Sequence, residues 1–433
     1  MKRIIVNIAR LLLAVVFIFS GFVKAVDPLG TQYKIHDYLE AMHLPALLPD
    51  VVTLGLSVAL AALEFSLGLF MLFAIRRRLT SRLTLFMLLV MTPLTLWLAV
   101  SNAVADCGCF GDAVVLTNWQ TFWKNVLLLA AAIVVARWPQ EMFRFVSKSN
   151  QWIVINYTVL FILAVSAVSL YDLPQFDFRP YHVGASIPEG MEIPEGAEHP
   201  QFETTFILEK DGLQREFTLE DYPDSTWTFI DSHTVQLTKG YVPPIHDFSM
   251  TLVDGGDDIT DMVLEDTAYT FLLVAPQLEN ADDAYLDRIN QLYEYCQEHD
   301  YPFYGLTASG EAAINRWCDM TGAEYPFCHT DETTLKTIIR SNPGLLLLKQ
   351  GTVIRKWSHN RLPVIDDALT SQPLEQFEIG HQPEDSVPRK ILLLLLWFVL
   401  PLTLLVIADR IWAWSKWLRR RRPQEDNTVK NQQ

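Results

Sequence analysis

Two cysteines separated by one glycine stand in the run Asp106-Cys107-Gly108-Cys109-Phe110-Gly111-Asp112. Thiols this close can interconvert between dithiol and disulfide, and Gly108 permits the backbone dihedrals that so small a ring needs. Strain raises the reduction potential, so a bridge here would be labile rather than structural. The same residues also read as two free thiols, or as half of a bridge to another cysteine, in a tight turn. Glu64 is the second candidate. It lies about thirteen residues into an apolar run, where an ionised carboxylate is costly unless paired. It reads equally as a proton carrier or partner of a quinone-like head group, and as a protonated, hydrogen-bonded packing residue.

The other cysteines offer less. Cys296 falls on the apolar face of an expected helix and reads as an inert buried thiol. Cys318 and Cys328 are ten residues apart, and a structural bridge between them depends on a Cα distance that spacing alone does not fix. His329 follows Cys328, but nothing nearby completes a metal ligand set. The acidic turns Asp254-Gly255-Gly256-Asp257-Asp258 and Ala281-Asp282-Asp283 lack the twelve-residue calcium-loop pattern. No metal and no particular cofactor follows from these residues.

The elements that must position the candidates are set by a division of the chain. Half of the 433 residues are hydrophobic, with mean hydropathy +0.17, yet the formal charge is −16. Apolar and acidic parts must therefore be segregated. Six apolar runs are long enough to span a bilayer: 4–26, 51–75, 83–102, 122–136, 152–170 and 391–408. Lys2 and Arg3, Arg76 to Arg78 with Arg82, Arg137 with Arg144 and Lys148, and Lys416 with Arg419 to Arg422 all fall on one face if all six cross. The positive-inside rule then places both termini in the cytoplasm and residues 172–388 outside, in a bacterial inner membrane. Lys24 and Lys124, near the outer ends of their spans, are expected to snorkel. Cleavage of the first span as a signal peptide is the competing expectation, and its length weighs against that.

Residues 172–388 hold 39 of the 50 acidic residues, which reads as a solvated surface. Nucleic acid is excluded as a partner, for no domain-sized basic surface remains to neutralise phosphates. The proline-rich stretch 173–200 is expected to be a linker. Residues 202–219 form a hairpin turning at Asp211-Gly212. Beyond it, strand 269–275, helix 284–298, helix 310–321, short strand 326–328, helix 333–340 and a strand–turn–strand over 345–357 describe an α/β sandwich.

Two resemblances follow. Pro244-Ile245-His246-Asp247-Phe248, the strand Phe271 to Ala275 and the run Asn342 to Gly351 resemble the thioredoxin fold, especially its peroxiredoxin-like branch, with Pro343 at the position of the family's cis-proline. The family's Cys-x-x-Cys is replaced by Pro276-Gln277-Leu278-Glu279-Asn280-Ala281, so this domain has no nucleophilic thiol at that site. The N-terminal part resembles the DoxX family and the MauE-type proteins of methylamine utilisation. That likeness rests on Ser20-Gly21-Phe22-Val23-Lys24 with Asp27-Pro28, on Glu64, and on Cys107-Gly108-Cys109-Phe110-Gly111. It implies a four-helix membrane bundle and a link to disulfide formation or maturation of exported enzymes. The plan is also similar to bacterial vitamin K epoxide reductase homologues fused to thioredoxin domains, although their intramembrane Cys-x-x-Cys is missing here.

The expected fold is therefore multi-domain: an all-α transmembrane bundle with an α/β thioredoxin-like extracytoplasmic domain. Its parts are a bundle over 1–140, a fifth helix over 152–171, a linker and hairpin over 172–242, and the thioredoxin-like domain over 243–370. A linker over 371–390, a sixth helix over 391–409 and a basic cytoplasmic tail over 410–433 complete it. The expected function is thiol–disulfide exchange through Cys107 and Cys109, with the lipid bilayer and an exported protein as partners. The rival is a membrane scaffold whose redox-inactive domain binds a partner. Transport is disfavoured, because no pair of spans shows broken-helix repeats.

Overall fold

A computed structural model describes residues 1–44, 48–104, 106–197, 201–210, 213–218, 227–238, 240–365, 372–383 and 387–421. The chain divides into two compact units, one helical and one built on sheets.

Among the described residues, the helical unit contains six helices long and apolar enough to cross a membrane, so the protein is a multi-pass membrane protein. They are α1 (Lys2–Val26), α3 (Asp50–Phe73), α4 (Arg77–Ser101), α5 (Asn118–Arg137), α6 (Gln151–Tyr171) and the last helix (Val387–Arg421), with the non-spanning α2 (Pro28–Ala41) between the first two. Residues 27–50 are thus more than the loop their polarity suggests. Asp27 accepts a hydrogen bond from Gly30 N at 2.9 Å, and Pro28 occupies the first helical position. Asp before Pro is a helix-start pattern, because the carboxylate satisfies an orphan amide and proline has none to lose.

Two apolar clusters hold the bundle. Val6, Leu13, Phe17, Leu67, Met71, Leu88, Leu128 and Val135 join α1, α3, α4 and α5. Ala25, Phe65, Val154, Ile162 and Leu402 bring in α6 and the last helix. Helices α1 and α3 meet backbone to backbone. A Cβ on Gly21 would lie 2.2 Å from Phe65 N, and one on Gly68 would lie 2.6 Å from Ile18 N. Only glycine fits there, and small residues are what allow membrane helices to approach this closely.

In the second unit a short helix, α7 (Ile187–Met191), precedes a three-stranded antiparallel sheet of β1 (Gln201–Lys210), β2 (Leu213–Thr218) and β3 (Thr228–Thr238), ordered β2-β1-β3. Lys210 pairs with Leu213, a two-residue hairpin connection whose Asp211 and Gly212 lie outside the described residues. A six-stranded sheet follows, built from β4 (Thr251–Leu252), β5 (Tyr269–Ala275), β6 (Phe303–Thr307), β7 (Phe327–His329), β8 (Gly344–Lys349) and β9 (Thr352–Ser358) in the order β4-β7-β6-β5-β8-β9. Helices α8 (Thr260–Glu265), α9 (Leu286–Glu298), α10 (Glu311–Thr321) and α11 (Glu332–Ile338) connect the strands, and the last helix of the chain is then α12. Strands β5, β6 and β7 are parallel, and β8 returns antiparallel to β5. Parallel strands joined through helices, followed by an antiparallel return, make this a mixed α/β sheet. Every residue of β5 is buried, as a strand covered on both faces requires. The Asn342–Pro343 peptide is cis. On α9 the buried face comprises Ile289, Leu292, Tyr295 and Cys296.

Both expected linkers need correction. Ile187 N bonds to Gly351 O and Gly184 N to Val353 O, both at 2.9 Å or less, and Ile187 and Tyr181 are buried. Pro188 opens α7 where proline costs no hydrogen bond. Likewise Leu374 is fully buried, and Tyr269 Oη donates to Gly380 O at 2.9 Å. Proline content marks where regular structure stops, but burial of single large residues decides whether a segment packs. The last helix begins at Val387, ahead of the expected 391, and runs on to Arg421. If residues 181–191 belong to the folded unit, Ile187→Ala should lower unfolding stability by about 2–5 kcal/mol. Urea titration of the full-length protein in mild detergent measures this, and an unchanged midpoint would restore the linker reading.

Candidate functional site

Ser20 and Lys24 are one helical turn apart and so share a face of α1. The Gly21 contact brings that face onto α3 at Glu64. Lys24 Nζ donates to Glu64 Oε2 at 2.7 Å, to Ser20 Oγ at 2.8 Å and to the carbonyl of Cys109 at 2.9 Å. An ammonium has three donors, and all three are used. Ser20 Oγ also lies 2.7 Å from Glu64 Oε2 and 2.6 Å from Cys109 O, so its single hydrogen goes to one of the two. The Lys24 and Glu64 side chains are only 7% and 8% exposed. Lys24 therefore does not snorkel. It turns inward because a carboxylate and a carbonyl await it there, and the charge cost that isolates Glu64 in the sequence is met by this ion pair.

The cysteine loop is fastened from three helices, α1, α2 and α5. Tyr38 Oη of α2 donates to Cys107 O at 2.7 Å, and Lys34 pairs with Asp106 at 3.0 Å. Asp106 Oδ1 accepts from Gly108 N at 2.7 Å, closing a turn that Gly108 and Gly111 continue with φ of +63° and +51°. A side chain at Gly108 would also strike Lys34. From α5, Lys124 lies over the Phe110 ring at 4.1 Å, and Phe110 meets Phe19 of α1 edge-on. Snorkelling thus also gives way at Lys124 to a cation–π contact. Asn125, one residue further along, donates to Thr95 Oγ1 at 3.3 Å.

Within the loop both thiols are free and half-buried, and their sulfurs are 2.9 Å apart. The two groups titrate in opposite directions. The hydrogen bond donated by Cys107 holds the Cys109 thiolate below the ordinary thiol range, and the Lys124 and Lys24 cations add to this against the effect of burial. Cys107 is raised by donating that bond, by burial and by the charge on Cys109. Such an arrangement supplies one thiolate and one thiol, which disulfide exchange requires. The crevice bounded by Asp106 to Gly111, Val114, Leu116 and Thr121 leaves about 10 Å³ of free space, no more than one water needs. Small-molecule sites usually have about 300–1,000 Å³, so the opening suits a protruding sulfur better than an enclosed ligand.

The remaining cysteines are remote from this chemistry. Burial pushes Cys296 upward and Cys328 up to about 12, and Cys318 is also raised by burial. Cys318 and Cys328 are both free thiols, so no bridge joins them. Where thioredoxin-like proteins carry cysteines after the first long strand, polar contacts stand instead. Asn342 Nδ2 donates to Gln277 O at 2.8 Å, and Ser309 Oγ donates to Glu279 Oε2 at 2.7 Å while accepting from Leu278 N. Among the described residues, no three His, Cys, Asp or Glu side chains gather as a metal ligand set.

Ser20, Lys24, Lys34, Tyr38 and Asp106 were not legible as site residues. The nearest signals were the i, i+4 spacing of Ser20 and Lys24, and the Asp27-Pro28 helix start that aims α2 at the loop.

A family model described as methylamine utilisation protein MauE matches residues 2–137, and one described as a domain of unknown function, DUF8463, matches residues 202–239. No curated protein matches the chain. Among solved structures, a provisionally assigned protein disulfide isomerase from Bacteroides thetaiotaomicron is 15% identical, with a TM-score of 0.21, over 25% of this chain and 73% of that one.

The Lys24–Glu64 pair generates a stability prediction. Glu64→Leu leaves a buried cation without its counter-charge and should cost about 3–5 kcal/mol, whereas Lys24→Met with Glu64→Leu should recover much of that loss. Chemical denaturation of the four proteins of this cycle, each full-length in detergent, gives the coupling. Additive single losses would mean that the pair is not formed.

Proposed function

We propose that this membrane protein carries out thiol–disulfide exchange with exported proteins, using Cys109 as the attacking thiolate and Cys107 as the resolving thiol. The observation that carries the reading is the Cys107–Cys109 pair at 2.9 Å, with the Cys109 backbone anchored on Lys24 and Ser20. The likeness to MauE-type proteins over residues 2–137 agrees with it. The Cys109 thiolate attacks a partner disulfide, forming a mixed disulfide and releasing one partner thiolate, which takes up a proton. Cys107 loses its proton and attacks Cys109 Sγ, so the Cys107–Cys109 bond forms as the second partner thiolate leaves. Two electrons pass to the partner, and the reverse sequence oxidises a dithiol partner. Lys24 and Ser20 act as positioning residues, since they hold the loop through the Cys109 carbonyl, and Tyr38 holds the Cys107 carbonyl while also reaching its thiol.

The proposed orientation puts both termini in the cytoplasm of a bacterial inner membrane, and the cysteine loop and residues 172–388 outside. The basic connections Arg76 to Arg78 and Arg137 to Lys148 support it. The thioredoxin-like unit, with Gln277, Glu279 and Ser309 where cysteines would stand, is suited to binding a partner rather than to electron transfer. A second reading, a scaffold with a structural cysteine turn, draws on that same substitution.

Alkylation and trapping separate the two. Because the Cys109 value is depressed, its thiolate persists at pH values where Cys296, Cys318 and Cys328 are protonated, and it is lost only as pH falls through that depressed value. Iodoacetamide should therefore label Cys109 first in the full-length protein at mildly acidic pH, as read by peptide mass spectrometry. Cys107→Ser should accumulate a reductant-sensitive adduct with an exported protein, and Cys107→Ser with Cys109→Ser should not. Labelling of Cys109 no faster than of Cys318, together with no adduct, would sink the exchange reading.

A further inference from the structure

We infer that Arg10, Arg77 and Arg144 form a binding site for a phosphate group, carried by an anionic lipid or free in solution. Arg10 lies on α1, Arg77 opens α4, and Arg144 sits in the segment after α5. They converge on one end of the helical unit, for Arg77 is within electrostatic reach of Arg10, Arg144 and Arg3. Like charges brought together in a medium of low dielectric repel strongly. Among the described residues, none of the three forms an ion pair.

The side-chain hydrogen bonds of Arg10 and Arg77 go to backbone carbonyls instead. Arg10 Nη1 donates to Phe143 O at 2.6 Å, and Arg77 Nη1 donates to Gln140 O at 2.9 Å. These contacts fix the two guanidinium groups without neutralising them. Arg144 is held through its backbone, whose carbonyl accepts from Arg410. The acids nearby do not supply the missing charge. Glu141 is exposed, and Asp409 accepts from Ser147 N, Ser147 Oγ and Asn150 Nδ2.

The decisive feature is a shared orphan donor. The Nε atoms of Arg10, Arg77 and Arg144 are all buried with no hydrogen-bond partner among the described residues, and Arg10 as a whole is only 6% exposed. A buried charged donor left unmade is expensive, so three in one cluster call for an acceptor that carries negative charge. The guanidinium fork matches tetrahedral phosphate oxygens, and several converging forks suit a phosphate better than a carboxylate. The cluster sits at the ends of spanning helices, the depth of lipid head groups, where basic pockets between helices take anionic lipids. A merely snorkelling arginine would keep its guanidinium in water, and Arg10 does not.

The test uses the full-length protein reconstituted in vesicles of equal parts phosphatidylcholine and phosphatidylglycerol, re-extracted in neutral detergent and washed. Lipids retained per protein are then read by mass spectrometry. Phosphatidylglycerol should be retained over phosphatidylcholine. Arg77→Gln and Arg144→Gln should each lower that retention about five-fold, and the exposed Arg78→Gln should leave it unchanged. Arg10→Gln alters a buried residue, so the two half-buried arginines carry the test, each with an unchanged gel-filtration profile. In lipid-free detergent, thermal stabilisation by sodium phosphate that vanishes in Arg77→Gln identifies free phosphate as the occupant. Its absence, with phosphatidylglycerol retained, identifies the lipid. Equal retention of both lipids with no phosphate effect, or equal losses in Arg77→Gln and Arg78→Gln, would overturn the site.

Discussion

An ammonium enclosed between apolar helices must have its charge balanced and each of its three N–H groups accepted, and the helical unit is arranged around meeting that demand at Lys24. Glu64 supplies the charge, and Ser20 and the Cys109 carbonyl supply the remaining acceptors. The pair can form only because α1 and α3 touch at Gly21, where any Cβ would enter the Phe65 backbone. The third acceptor belongs to the cysteine loop, so the ion pair that ties two helices together also fixes the sulfur-bearing turn above them. Interior electrostatics and loop placement are thus one interaction.

The loop shows the same economy. It is short, and two of its glycines take left-handed φ, so it has little regular hydrogen bonding of its own. Its order comes from outside: Tyr38 and Lys34 on α2, Ser20 and Lys24 on α1, and Lys124 on α5 each hold a carbonyl, a carboxylate or a ring. The hydrogen bond between the two sulfurs biases the thiols apart, one toward thiol and one toward thiolate, and the lysine cations add to the thiolate side at Cys109. Sheet chemistry in the other unit follows a different rule. There the buried strand β5 and its neighbours form the expected layer, while the usual thiol position is filled by neutral and acidic side chains that hydrogen-bond to one another.

Spanning helices were readable because a bilayer imposes a minimum apolar length, and each of the six expected runs corresponds to a helix. The strand–turn–strand over 345–357 was readable because its two apolar runs flank Gln350 and Gly351, both of which adopt positive φ. The α2 helix leaves little trace in the sequence, because its mixed polarity hides a start signal of only two residues, Asp27-Pro28. The packed stretches at 181–191 and 374–380 have the composition of linkers, since a few buried residues such as Ile187 and Leu374 leave no periodic trace.

The sequence by itself determined which residues could do chemistry, Cys107, Cys109 and Glu64, and how the chain divides between apolar spans and an acidic α/β unit. Those properties are local, for they depend on residue type, on spacing within a few positions, and on run length. The tertiary structure alone decided what surrounds them. Lys24, forty positions from Glu64, becomes its counter-charge, and Ser20 and Tyr38 reach a loop about seventy to ninety positions away. It likewise brought Arg10, Arg77 and Arg144 into one basic cluster. Such meetings depend on which helix faces touch, and that is set by small residues at crossing points and by buried charges, whose partners no single stretch of sequence contains.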